Sequence, residues 1–157
     1  KYPRVRWVLY HGARSFSGWA LEKAAPRLKR LQNIWIEGSA VCETDAFDSI
    51  FSNIDISRVC YGSDDFNAGM VRGKYIAWGY GWEVMDKQNQ TFNTDHCDGR
   101  MTFVRYEMLR AMRRAARNQR LTRNQIEDVF FNNAARLVED VWNDLTRCLE
   151  TKPQVDP

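Results

Sequence analysis

The sequence predicts an α/β fold built on a parallel sheet. Short apolar runs rich in β-formers recur at 5–11, 33–40 and 57–63. Stretches with helical apolar spacing separate them, and the connections are short. A strand–helix–strand–helix–strand order implies parallel pairing with right-handed crossovers. At 157 residues the chain is one domain long, enough to bury a core.

The first run, "VRWVLYH", is almost continuously apolar, the pattern of a strand buried on both faces. In "GWALEKAAPRLKRLQ", Leu21, Ala25, Leu28 and Leu31 recur at helical spacing, and Pro26 starts a second stretch or kinks the first. "NIWIEGSA" is the second strand. "DAFDSIFSNI" is a short amphipathic helix with Phe47, Ile50, Phe51 and Ile54 on one side. "SRVCYGS" is the third strand. Residues 68–100 hold glycines and aromatics without a sustained period, which predicts a long irregular or partly helical excursion covering a site. The helical period returns at Thr102, with an apolar stripe of Phe103, Tyr106, Leu109, Met112 and Ala116. Thr122 with Gln125 forms a capping box that opens a further helix. Residues 1–149 are expected to form the folded unit, and 150–157, with two prolines, a frayed tail.

Composition excludes several classes. A hydrophobic fraction of 44% with six Trp and eight Phe argues against disorder. No apolar run reaches the roughly 20 residues of a membrane span, and no signal-peptide pattern opens the chain. A cytoplasmic location is expected. A net charge of +3 does not by itself demand a nucleic acid. The cysteines at 42, 60, 97 and 148 show no C-x-x-C spacing, so they read as reduced thiols in a core. The sequon "NQT" at 89–91 lacks a secretory context.

The polar residues are placed with a pattern. His11 follows the first strand, Glu37 and Ser39 end the second, and Asp64 ends the third. In parallel β/α proteins the strand C-termini line one rim, where side chains converge. Each residue also has a structural reading: His11 as a satisfied imidazole, Asp64 and Asp65 as helix caps.

Four segments in order, "WVLYHGARSF", "NIWIEGSAVCE", "RVCYGSDDF" and "IEDVFFNNAARLV", resemble the C-terminal half of the metal-dependent amidohydrolase superfamily, in its amidohydrolase-2 branch of hydrolases and decarboxylases. "YEMLRAMRRAA" resembles the long helix preceding the last of them. The likeness covers most of residues 4–140. It implies the C-terminal part of a (β/α)8 barrel, strands six to eight plus the closing helices. In that family the metal site draws on an H-x-H after the first strand, a residue after the fourth, His after the fifth and sixth, and Asp after the eighth. Carried over, Asp64 would be a metal ligand or the base holding the attacking water. His11 would polarise or protonate the substrate, or ligate a second metal. Arg14 would pair with a substrate carboxylate, and Glu37 would face the rim.

The resemblance thus implies a metal-dependent hydrolase or decarboxylase, with zinc or manganese as cofactor, acting on a small organic and in some cases carboxylated substrate. Carboxylate and imidazole suit those metals, and a bound water is acidified from about 16 toward about 7. The sequence departs from the pattern in two respects: no H-x-H occurs, and strands one to five have no counterpart. The chain opens on Lys1 and runs into a strand at once, so a piece of a longer protein is expected, with the N-terminal half of the barrel as its partner. A homo-oligomer is a further expected state. Two alternatives stand beside this. One is an inactive β/α scaffold or subunit. The other, less favoured, is a basic nucleic-acid module carried by Arg110, Arg113, Arg114, Arg117, Arg120 and Arg123.

Overall fold

A computed structural model describes residues 5–86, 96 and 101–150. The architecture is α/β. Strands β1 (Trp7–Leu9), β2 (Ile34–Glu37) and β3 (Val59–Cys60) form a parallel sheet in the order β1-β2-β3. Trp7 faces Ile34, Leu9 faces Ile36, and Glu37 faces Cys60. The strand at 5–11 is shorter and less buried than its composition predicts. It lies at a sheet edge, where Trp7 stays 49% exposed.

A single left-handed turn, α1 (His11–Arg14), follows β1. Helix α2 (Gly18–Leu28) carries Pro26 in its last turn without starting a second helix, correcting one reading of the sequence. Pro26 has no N–H to offer the Glu22 carbonyl, so the helix forgoes that bond and ends two residues later. Helix α3 (Thr44–Asn53) buries Phe47, Ile50 and Phe51 as its period requires. These side chains join Ile36, Val59, Met108 and Val129 in one core, each contributing roughly 1.5–3 kcal/mol of burial.

The stretch after β3 is more ordered than expected. A π-turn (Asp65–Gly69) leads to an antiparallel hairpin of β4 (Gly73–Trp78) and β5 (Gly81–Asp86). Trp78 pairs with Gly81, leaving a two-residue loop in which Gly79 has φ +56°. That left-handed position favours glycine and is a hairpin signal. Scattered glycines and weak alternation hid it.

Helix α4 (Val104–Asn118) buries Val104, Met108, Ala111, Met112, Ala115 and Ala116. The predicted stripe is thus rotated: Met112 and Ala116 face the core, but Tyr106 is 55% exposed. A helix with apolar residues on several sides cannot be phased without its neighbours, here α3 and β4. The capping box forms as read, with Thr122 and Gln125 exchanging bonds at the start of α5 (Arg123–Glu127). A π-turn (Asp128–Asn132) continues into α6 (Asn133–Glu150). Tyr61 N–H donates to Val129 O at 2.7 Å, docking this segment beside β3.

Cys42 and Cys60 are buried as expected, and burial pushes their thiols up to about 12 and about 11. Cys148 is exposed on α6 instead of lying in a core. Cys97, the sequon at 89–91 and residues 151–157 fall outside the described residues. Among the described residues no helix is long and apolar enough to cross a membrane.

Candidate active site

The C-terminal ends of the three strands carry unusual backbone. Among the described residues, six non-glycine residues have positive φ: His11, Ala13, Arg14, Ala40, Asp64 and Arg120. All but Arg120 lie just beyond a strand of the parallel sheet. A left-handed residue with a Cβ costs about 1–2 kcal/mol, and such outliers concentrate at functional sites. The rim predicted from polar residues is therefore also where strain is held.

Glu37, at the end of β2, is 6% exposed and organises this rim. Its Oε1 accepts Ser39 N–H at 2.8 Å. Its Oε2 accepts Ser39 Oγ–H at 2.7 Å and His11 N–H at 3.3 Å. Ser39 in turn meets His11 Nδ1, through its carbonyl at 3.1 Å and its Oγ at 2.9 Å. This chain fixes the imidazole's proton. An ionised carboxylate only accepts, so it takes the single hydroxyl proton of Ser39, and the Ser39 carbonyl also only accepts. Nδ1 must then be the donor, which places the neutral ring's lone pair on Nε2. Such an imidazole can ligate a cation or take up a proton. Donating a proton to substrate would require the imidazolium.

Asp64 caps the π-turn in left-handed conformation, with its carbonyl accepting Ala68 N–H and Gly69 N–H. Its charge reaches the hairpin. The Tyr75 phenol is pushed up by burial first and by Asp64 next, while Arg14 acts in the opposite direction. The Arg14 guanidinium lies 5.9 Å from the Trp82 ring centre. Phe16 packs on Tyr75 at 4.7 Å and on Trp82 at 4.6 Å, and it stacks toward His11 at 6.2 Å. The hairpin thus gives an aromatic wall to the loop bearing His11 and Arg14. Asp65, for which the sequence offered a capping role, pairs with Arg105 of α4 at 2.6 Å. His96 is an exposed turn residue.

A family model described as Amidohydrolase matches residues 1–139. The chain belongs to the amidohydrolase family. No curated protein and no solved structure matches it.

In this amidohydrolase chain the structure brings His11 and Glu37 together through Ser39, and the charges of Arg14 and Asp64 both act on Tyr75, in opposite directions. The imidazole Nε2 and the Asp64 carboxylate are suitable donors for zinc or manganese. Among the described residues, however, no group of three or more His, Cys, Asp or Glu is placed to hold a metal ion, and a zinc site takes about four ligands. These residues alone do not complete a metal centre.

The sequence placed Ser39 on the rim without a chemical role, and it did not single out Phe16, Tyr75 or Trp82 for the site. Ser39 had a local signal in its position two residues past Glu37. The hairpin aromatics had none that ties them to His11. Gly62 was also missed: a Cβ there would overlap the Glu37 carboxylate. Gly62→Ala is expected to push Glu37 out of its bonds to Ser39 and His11, at a cost of about 2–4 kcal/mol for the lost charge-assisted bonds. Thermal denaturation measures it, and a variant as stable as the parent would show that the carboxylate can move freely.

Proposed function

We propose that this chain forms strands six to eight of a (β/α)8 barrel whose activity is metal-dependent hydrolysis or decarboxylation of a small carboxylated substrate. The observation that carries this is the Glu37–Ser39–His11 chain at the rim of a parallel sheet, presenting the Nε2 lone pair of an oriented imidazole. Family membership supports the reaction class. The sheet supports the barrel, because β1 and β3 each pair with β2 alone among the described residues.

In this reading His11 Nε2 and the Asp64 carboxylate are two ligands of a divalent zinc or manganese ion. The remaining ligands come from strands outside this chain. When bound, the ion supplies acidification of a water and polarisation of a substrate oxygen. The chain's own residues do the rest. Arg14, backed by the Trp82 face, pairs with the substrate carboxylate. Phe16, Tyr75 and Trp82 exclude water from that side. Asp64, where it is not ligating, accepts the proton of an attacking water. The partners are then the substrate, the other barrel strands and, in the assembled state, a second copy.

Metal removal tests the reading. Treating the full-length protein with a chelator should silence hydrolysis or decarboxylation of carboxylated test substrates, and zinc or manganese should restore it. Asp64→Asn should lower bound metal with the circular dichroism unchanged. Full metal content in Asp64→Asn would end the ligand assignment. A protein that turns over none of the substrates with metal restored would be the inactive scaffold.

A further inference from the structure

We propose that a cavity between α3, α4 and α5, lined by none of His11, Arg14, Glu37, Ser39 or Asp64, is a second binding site for a small anionic amphiphile, an apolar body with a carboxylate head. The cavity holds about 420 Å³, within the roughly 300–1,000 Å³ of small-molecule sites. Its inner side is closed by buried Phe51, Met112, Ala116 and Val129. Its outer side carries the exposed guanidinium groups of Arg113, Arg117 and Arg120, and no Asp or Glu lines it.

The charge is uncompensated. Four other arginines of α4, α5 and α6 are paired, Arg105 with Asp65, Arg110 with Glu107, Arg123 with Glu127 and Arg136 with Asp128, whereas Arg114, outside the cavity lining, is not among the ion-paired residues. Arg113, Arg117 and Arg120 take no ion pair among the described residues. Three like charges beside an apolar hollow repel one another, and an anion seated there relieves that repulsion while its apolar body covers Met112 and Phe51.

Arg120 adds an independent sign. It sits at the left-handed position that ends α4, with φ 53°. Leu121 N–H donates to Ala116 O and Arg120 N–H to Arg117 O. That is the Schellman pattern, whose left-handed residue is most often glycine. The helix end instead holds a long cation at the mouth of the cavity, at a cost in backbone strain. Asp48 accepts Asn118 Nδ2–H at 2.9 Å and Gln119 Nε2–H at 3.1 Å, so α3 braces that end of α4. A nucleic-acid backbone would meet the arginines but leave the apolar floor uncovered, so a small amphiphile is the better match.

Calorimetric titration of the full chain with decanoate tests this, with 1-decanol as the uncharged control. Decanoate should bind saturably with one equivalent per chain, at least about tenfold tighter than decanol. The double variant Arg113→Gln/Arg117→Gln should weaken it by a further factor of about ten or more. Arg123→Gln, whose side chain pairs with Glu127 away from the cavity, should bind as the parent does. Ala116→Phe fills the cavity and should abolish binding. Absence of decanoate binding, equal binding by decanol, or parental affinity in the double arginine variant would each overturn the proposal.

Discussion

Asn133→Ala should destabilise the fold by about 2–5 kcal/mol, because it strips the donor from the buried Val59 carbonyl and from the partly buried Ile56 carbonyl. Asn133 is 1% exposed at the start of α6. Its Nδ2 donates to Ile56 O at 2.7 Å and to Val59 O at 2.8 Å, and its Oδ1 accepts from Arg136. Those carbonyls belong to the turn entering β3 and to β3 itself, so one side chain fixes the strand that delivers Asp64. For a chain of this length the loss corresponds to a fall in melting temperature of roughly 5–15 °C. Asn133→Asp keeps the shape but has no donor to offer, and it places a carboxylate against two carbonyls. It should be at least as damaging as alanine. Thermal denaturation followed by circular dichroism measures both, and a fall below about 1 kcal/mol for alanine would mean that the carbonyls find other donors.

That residue shows what kind of information the sequence carries. "NNAARL" could be recognised as a family pattern, yet nothing within the segment says that Asn133 reaches back to Ile56 and Val59. Periodicity and turn chemistry are local, and they located what is local. The three parallel strands, the apolar face of α3 and the Thr122–Gln125 box follow from spacing within about ten residues. Polar residues at strand ends marked the rim, because the parallel order sends every strand the same way. What escaped depends on partners distant in the chain. Gly62 makes room for Glu37, Asp65 pairs with Arg105, and the face of α4 is chosen by α3 and the hairpin. The left-handed turn at His11–Arg14 was illegible for another reason. Only Gly12 in it favours positive φ, and its other residues are held there against their own preference by packing and by the bond from His11 N–H to Glu37.

Glu37→Gln should reverse the tautomer of His11 and, with His11 as the proposed ligand, lower kcat/KM about 10- to 100-fold, the usual range for a partner that orients a ligating imidazole. The carboxylate receives three donors, from Ser39 N–H, Ser39 Oγ–H and His11 N–H. A glutamine amide has one oxygen and one NH2 group, so it cannot accept on both sides. If its oxygen keeps Ser39 N–H, its NH2 group faces Ser39 Oγ and donates to it. The serine proton then turns away from residue 37 toward His11 Nδ1. Nδ1 becomes an acceptor, the ring proton moves to Nε2, and the lone pair that faced the rim is lost. Nitrogen-15 chemical shifts of the His11 ring report the exchange directly, with or without turnover. Ser39→Ala separates orientation from charge: it removes the hydroxyl relay but leaves the Ser39 backbone carbonyl bond to Nδ1, so the parental tautomer should persist. A glutamine variant that keeps the proton on Nδ1 would show that the backbone carbonyl alone holds the ring. Glu37 would then serve to anchor the strained turn through His11 N–H, and the variant should lose stability while the imidazole chemistry stayed intact.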